Sequence, residues 1–278
     1  MTASPKKEQH YLPRFYLRGF STDAKRRLVS LFNIRRGLYV PSASIKHEAC
    51  GSSIYGPDGA IENALMLLET GAADIFSKMH HYRCAPARYS LEQQLVLAYV
   101  LAQHRRTPRA GRELVDAINM PLALAFREDP RYKGLGDTWV IAPENPVAVS
   151  VGWSIWLWPL LLDLSGMLLV TDLEPGFVTS DGPVIYYNQY LEQQRPYLAN
   201  VGLLTRGLQI FLPLSPGALL ALYDGAIYKV GERGVQNVSV TCQAVNAGFV
   251  LTHRRRFVID PPPPFHLSGS GLAGARWA

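Results

Sequence analysis

Gln9-His10-Tyr11-Leu12-Pro13-Arg14-Phe15-Tyr16-Leu17-Arg18-Gly19-Phe20 places a histidine, two arginines and four aromatic residues near the start of the chain. Pro13 suits the first position of a helix. The apolar positions of such a helix then share one side: Leu12, Phe15, Tyr16 and Phe20. Arg14 and Arg18, four residues apart, share another side. An imidazole beside fixed positive charge suits an anionic ligand, and an amphipathic helix with solvated arginines is the alternative.

Composition describes a folded, basic chain. It has 278 residues, of which 48% are hydrophobic and 18% charged, so it can bury a substantial core, and disorder is excluded for most of it. The net charge is +6, and the basic residues are clustered at Lys25-Arg26-Arg27, Arg35-Arg36, Arg105-Arg106 and Arg254-Arg255-Arg256. This excess favours an anionic partner, nucleic acid included.

The compartment predicted from the sequence is the cytoplasm. Residues 1–8 are polar and lack the apolar run of a signal peptide. Three cysteines, Cys50, Cys84 and Cys242, are too few for a disulfide scaffold.

One segment, residues 151–171, approaches the length of a membrane span. Polar and helix-breaking residues interrupt it at Pro159, Asp163, Ser165 and Gly166, and its tryptophans gather at one end instead of flanking both ends. We therefore expect no membrane partner. The prediction is a buried helix over 153–162, a turn at Ser165-Gly166 and a strand over 167–171.

The N-terminal half is predicted to be mainly helical. Two β segments, 28–34 and 38–45, flank Arg35-Arg36-Gly37 as a hairpin with a basic tip. Apolar residues recur at helical spacing over 60–79. Ser90 and Gln93 have the spacing of a capping box, which predicts a helix from 90 to 106. The helix is predicted to break at Thr107-Pro108, and a further helix is predicted over 108–127.

The C-terminal half is predicted to be mainly β. Strand-like runs cover 167–171, 177–179, 184–187, 208–212, 219–223 and 249–252, with a helix over 238–247 and a structural turn over 212–217. Early helices and late strands predict an α+β fold, in which a largely antiparallel C-terminal sheet is packed by helices. Residues 1–260 are predicted to form a single integrated domain, and 261–278 a flexible tail rich in Pro, Gly and Ser.

Three sets of polar residues are candidates for a site. Glu62 and Glu69 lie ~10 Å apart along one helix, too far to chelate one ion together. Each would pair with a metal or an arginine; in the alternative, Glu62 only favours the helix N-terminus and Glu69 is solvated. Gln103 and Arg106 share a helix face and can contact phosphate, carboxylate or only the helix dipole. Asp181, in Thr179-Ser180-Asp181-Gly182-Pro183-Val184, either presents a carboxylate at a strand end or forms an ordinary turn.

Other chemistries have weaker support in the sequence. Two His-x-x-Cys pairs, His47/Cys50 and His81/Cys84, are not the usual zinc knuckles, so zinc is not expected. The chain has no nucleophile elbow, Walker loop or Gly-x-Gly-x-x-Gly loop. Serine hydrolase, NTPase and dehydrogenase interpretations are weakened accordingly.

In combination, the ordered motifs resemble the family called Domain of Unknown Function 4238, from about residue 9 to 253. The motifs are His10-Tyr11-x-Pro13-x-Phe15-x-Leu17-Arg18-x-Phe20, Ile61-Glu62 with Glu69, Gln103-x-x-Arg106-Thr107-Pro108, Thr179-Ser180-Asp181-x-Pro183-Val184, Pro213-Leu214-Ser215-Pro216 and Asn246. The resemblance implies one integrated domain, found mainly in bacteria and fungi, with no known activity. It also marks recurring polar positions: His10, Arg18, Glu62, Glu69, Gln103, Arg106, Asp181 and Asn246.

The sequence leaves open whether the protein is an enzyme. The leading hypothesis is a metal-assisted hydrolase of a phosphodiester, similar to a nuclease, or of another anionic substrate, with Mg²⁺ or Mn²⁺ bound by Glu62 and Asp181 and with Glu69 as a further candidate. His10, Glu62 and Asp181 would be catalytic, with His10 the general base or a ligand. The substrate would be bound by Arg18, Gln103, Arg106 and Asn246. The alternative is a non-catalytic module that binds nucleic acid or protein, in which these polar residues only join helices to sheet.

Overall fold

A computed structural model describes residues 8–34, 36–129, 131, 140–172, 176–194, 202–228 and 235–237. Helices dominate the part before residue 160, and strands dominate the part after it. The predicted α+β class is therefore confirmed.

The opening motif forms a short strand and a short helix. Strand β1 (Glu8–His10) pairs antiparallel with β4 (Cys50–Ser52), His10 opposite Cys50. Helix α1 (Arg14–Arg18) follows. Pro13 is its N-cap residue, whereas the sequence predicted Pro13 at the first helical position, so the helix begins one residue later than predicted. The predicted hairpin is present as β2 (Leu28–Asn33) and β3 (Leu38–Ser44).

Four longer helices follow, close to the bounds predicted for the first three: α2 (Ala60–Tyr82), α3 (Leu91–Arg105), α4 (Pro108–Glu128) and α5 (Pro146–Leu157). Side-chain caps explain where three of them begin. Ser90, Thr107 and Asn145 each accept a hydrogen bond from the backbone N–H three residues later. Pro108 and Pro146 occupy the first helical positions, where the missing N–H costs nothing.

Within the described residues, the C-terminal sheet has five strands in the order β6-β7-β8-β5-β9. Its strands are β5 (Leu164–Val170), β6 (Ile185–Tyr187), β7 (Gln209–Ser215), β8 (Ala218–Asp224) and β9 (Val235–Asn237), and a short helix α6 (Gln189–Gln194) follows β6. All pairs are antiparallel except β5 with β9. The inner strands β7 and β8 are almost continuously buried. They pack with α1, α2 and α3 in one core cluster.

The prediction for 151–171 is partly wrong. The helix begins earlier, at Pro146, and continues as a 3-10 turn over Trp158–Leu161. Ser165 and Gly166 lie inside β5, opposite Tyr223 and Leu222, because pairing with β8 outweighs their turn preference. The helix is not buried on all sides, since Trp156 is 80% exposed.

Two further predictions in the C-terminal half are wrong. Residues 177–179 form no strand, because Phe177 N–H donates to the carbonyl of Pro216 instead of to a strand partner. Only residues 216 and 217 of the turn predicted over 212–217 form a turn. Strand β7 continues through Pro213 to Ser215 with a register shift. This bulge lets the strand continue past a residue with no N–H.

Several predictions lie outside the described residues. They are the helix over 238–247, the strand over 249–252, the site residue Asn246 and the tail 261–278.

None of the helices in the described ranges combines the length and apolar composition that a membrane span requires.

Candidate functional site

One side of helix α1 packs against the C-terminal sheet. We call this region the sheet contact of α1, and it is formed by Tyr16, Gly19, Thr179, Pro213 and Leu214. The Tyr16 hydroxyl donates to the carbonyl of Pro213 at 2.6 Å and lies 2.7 Å from Thr179 Oγ1. Tyr16 is 2% exposed, and this burial raises the pKa of its hydroxyl well above the ordinary value. The hydroxyl therefore stays protonated, and its contacts join residues far apart in sequence.

Gly19 makes the close approach of α1 to the sheet possible. A Cβ atom at this position would lie 2.4 Å from the carbonyl oxygen of Leu214, a backbone atom that cannot rotate away. The register shift in β7 falls at the same place, between Pro213 and Ser215. The sequence motifs around residues 19 and 213 therefore meet in one structural contact.

The opposite side of α1 faces a cavity of about 530 Å³, bounded also by β1 and α2. Its ionisable lining residues come from separate parts of the sequence: Glu8, His10, Arg14, Glu62, Glu69 and Arg106. Pro13, Phe15, Leu65 and Met66 supply an apolar side. Residues 62, 65, 66, 69 and 73 follow helical spacing, so one face of α2 forms the floor of this cavity.

His10 is held in its neutral form. Its Nε2 lies 3.1 Å from the carbonyl of Lys46, and Arg14 Nε lies 3.5 Å from the same atom. A carbonyl accepts only from a protonated Nε2, whereas Arg14 Nε–H donates only to an unprotonated one, so the two contacts belong to different tautomers of the ring. Burial, followed by the charge of Arg14, lowers the pKa of His10 below its usual value near 6.5. At neutral pH the imidazole can therefore accept a proton.

Arg106 is the most deeply buried charge at the cavity, with 3% of its surface exposed. It donates through Nη1 to Glu69 Oε1 at 2.6 Å, through Nη2 to the His10 carbonyl at 2.6 Å and through Nε to Tyr55 Oη at 2.9 Å. Burial alone would lower the pKa of Arg106, but Tyr55 and Glu69 raise it, so the guanidinium keeps its charge. All three guanidinium nitrogens thus donate to protein oxygens.

The same buried residues fix the backbone of β1 over positions 9 to 11. Tyr55 Oη also donates to the His10 carbonyl at 3.0 Å, and the Gln9 side chain accepts from Tyr55 N–H at 2.7 Å. Gln103, fully buried, donates to the Tyr11 carbonyl at 2.9 Å. A two-stranded ladder of three residues is weak by itself. These contacts therefore position His10.

The structure brings some predicted site residues together and separates others. His10, Glu62, Glu69 and Arg106 line one cavity. The described lining includes neither Arg18, whose side chain is exposed, nor Asp181, which is half-buried in the segment that follows Thr179. Gln103 contacts the backbone beneath the cavity. The catalytic and binding roles of all these residues stay predictions.

The predicted site set does not include Glu8 and Arg14, which face the cavity, or the buried Tyr55 beneath it. Arg14 lies four residues after His10, and the opening motif indicated positive charge beside the imidazole, but only Arg18 was taken as a site residue. Glu8 precedes the motif on an exposed strand position. Tyr55 lies in a turn-rich stretch with no pattern that distinguishes it from a structural tyrosine.

The donor set restricts how a metal ion would be bound. Within the ranges that the structure describes, no three His, Cys, Asp or Glu side chains form a group able to hold a metal ion. Mg²⁺ is often bound by one or two carboxylates together with substrate phosphates. A divalent cation at Glu8 or Glu62 would therefore take its other ligands from substrate and water.

Comparison with known proteins gives the family of the chain. The model of the family described as "Protein of unknown function (DUF4238)" matches residues 8–261, so the chain belongs to that family. No curated protein and no solved structure matches the chain. The recognition made from the ordered motifs is confirmed.

Proposed function

We propose that this member of the DUF4238 family is a hydrolase of phosphodiesters, or of a related anionic ester, and that the cavity beside α1 is its active site. The observation that carries the proposal is the meeting, in one cavity of about 530 Å³, of a neutral imidazole, carboxylates and a guanidinium from three separate sequence regions. General base, cation ligand and anion contact are the groups that phosphoester hydrolysis requires.

The roles follow from the surroundings of each residue. His10, with its lowered pKa, takes a proton from water, whose oxygen attacks phosphorus as the ester P–O bond breaks. The leaving oxygen takes a proton from solvent. Glu62 and Glu8 supply hard oxygen donors for Mg²⁺ or Mn²⁺, which would neutralise charge on the phosphoryl oxygens. Arg14 faces the cavity and takes the anion contact that was predicted for Arg18 and Arg106.

The test is a turnover assay on purified full chain with Mg²⁺ or Mn²⁺, using RNA, DNA, nucleotides and bis(p-nitrophenyl) phosphate. We expect His10→Gln to reduce turnover ~10²–10⁴-fold, the usual contribution of a general base. His81→Gln, the same change at an exposed position near the end of α2, should leave turnover unchanged. Intact substrates throughout the panel would refute the proposal.

A specific observation also supports the alternative, a non-catalytic module that binds nucleic acid or protein. Gln103 and Arg106, two of the polar positions that the motifs mark, have contacts that join elements of the fold. Tyr16, which lies between motif positions, does the same. A binder that contacts phosphates should lose affinity steeply with salt and be unaffected by chelator. The enzyme should lose turnover in chelator while it still binds substrate.

A further inference from the structure

The size of the cavity restricts what it can bind. Its volume of about 530 Å³ lies within the ~300–1,000 Å³ typical of sites for small molecules. The cavity lies between α1, β1 and one face of α2 and is about half open to solvent. The ligand that fits is therefore about the size of one nucleotide.

The lining has two chemically different parts. Phe15, Leu65 and Met66 form an apolar part beside the ionisable residues. The Phe15 ring packs against Phe76 and Tyr99, with ring centroids 6.1 and 5.8 Å apart, so its position is fixed. Met66, 52% exposed, has a flexible thioether that adapts to flat groups. A matching ligand has one apolar, flat end and one charged end.

The charge of the cavity determines whether the charged end of the ligand is a bare phosphate or a group that brings positive charge. Three carboxylates, of Glu8, Glu62 and Glu69, face two guanidiniums, those of Arg14 and Arg106. Arg106 and Glu69 form an ion pair at 2.6 Å, which leaves two carboxylates against Arg14. The excess of negative charge opposes a bare phosphate and favours a ligand that brings positive charge.

We infer that the cavity binds a nucleoside monophosphate, or a phosphate ester of that size, as its complex with a divalent cation. The cation faces Glu8 and Glu62, the phosphate contacts Arg14, and the flat base lies against Phe15 and Met66. This inference rests on the proposed function and names the substrate class of the same site.

Calorimetry on the full chain tests the inference with AMP as the probe, in MgCl₂ and in EDTA, and with ribose 5-phosphate in MgCl₂. Spermidine without metal represents a ligand that is itself cationic. We expect AMP with Mg²⁺ to bind at least ~10-fold more tightly than AMP in EDTA and than ribose 5-phosphate. Equal binding in EDTA, tighter binding of spermidine, or no binding of AMP would overturn the inference.

Matched variants locate the two ends of the ligand. Glu62→Gln should remove most of the gain in AMP affinity that Mg²⁺ gives, whereas Glu113→Gln, on α4 outside the cavity lining, should preserve it. Met66→Ala should weaken AMP binding without changing that of ribose 5-phosphate. Leu67→Ala, at the neighbouring position outside the lining, should change neither. Equal effects in either pair would contradict the assigned orientation.

Failure of this inference can be separated from failure of the proposed function. Binding of AMP that depends on Mg²⁺, without hydrolysis of any ester, would leave the ligand class standing and refute the hydrolase. Hydrolysis that depends on His10, with AMP binding equally in EDTA, would refute only the ligand class.

Discussion

The two sides of helix α1 differ in how completely their polar groups are satisfied. At the sheet contact, Tyr16 is 2% exposed and its hydroxyl has two oxygen neighbours within 2.7 Å. At the cavity, Glu62 and His10 are half-buried and Arg14 is exposed, so solvent and a ligand can reach them. The stretch 9–20 contributes to both sides. A polar residue in this stretch is therefore not by itself evidence of catalysis, because the stretch serves scaffold and cavity together.

The largest effect should come from the buried charge at the cavity. Arg106→Met leaves Glu69 and the Tyr55 hydroxyl without this donor and removes one of the two donors to the His10 carbonyl, and we expect the unfolding free energy to fall by ~3–5 kcal/mol. Arg18→Met, at an exposed position, should change it by less than ~0.5 kcal/mol. Denaturant titration compares the two. Similar losses of unfolding free energy in both variants would show that burial does not determine how much these arginines contribute to stability.

A smaller loss of stability is expected at the sheet contact. Gly19→Ala places a methyl group 2.4 Å from the Leu214 carbonyl oxygen, and the strain should cost ~1–3 kcal/mol. Gly152→Ala is the matched control, since nothing lies within 4 Å of its added Cβ and alanine favours the helix. Thermal melts should show destabilisation only for the first variant. An unchanged melting temperature for Gly19→Ala would mean that α1 can move away from β7.

A substitution at Asp181 tests whether this residue belongs to the cavity site or to the scaffold. Asn tolerates the same turn, and Ser180 Oγ contacts both N–H and C=O of Gly182, so Asp181→Asn should keep the bend. Because the described cavity lining does not include Asp181, we expect binding of AMP with Mg²⁺ to match the unsubstituted protein. Binding or turnover lost at an unchanged melting temperature would return Asp181 to the site. A melting temperature lowered by several degrees would assign its carboxylate to the scaffold.

The smallest expected effect is on the pH dependence of folding stability. Burial and Arg14 lower the pKa of His10 in the folded state, so the unfolded chain binds a proton first as pH falls. Stability is thus complete above the unfolded pKa near 6.5 and is lost as pH falls from there toward the lower folded pKa. His10→Gln should flatten this part of the stability profile, measured by urea titration at several pH values. His80, whose pKa burial also lowers, should keep part of the slope. An unchanged slope would contradict the burial assigned to His10.

Local sequence signals determined most of the helical half of the fold. Capping residues Ser90 and Thr107 and the proline at 108 fix helix starts through backbone hydrogen bonds that need no distant partner. The hairpin at 28–44 and the β character of the C-terminal half were predictable in the same way, from propensity and turn residues. The ordered motifs also determined the family.

Only the tertiary structure decided which strands continue and which polar residues meet. Ser165 and Gly166 became strand, and 177–179 did not, because hydrogen-bond partners distant in sequence outweighed local preference. The cavity joins residues 8–14, 62–69 and 106, and the sheet contact joins residues 16–19, 179 and 213–214, across separations that no spacing rule encodes. The sequence specified a histidine, acids and arginines, but burial and proximity, which set the pKa of His10 and the charge of the cavity, exist only once the chain has folded.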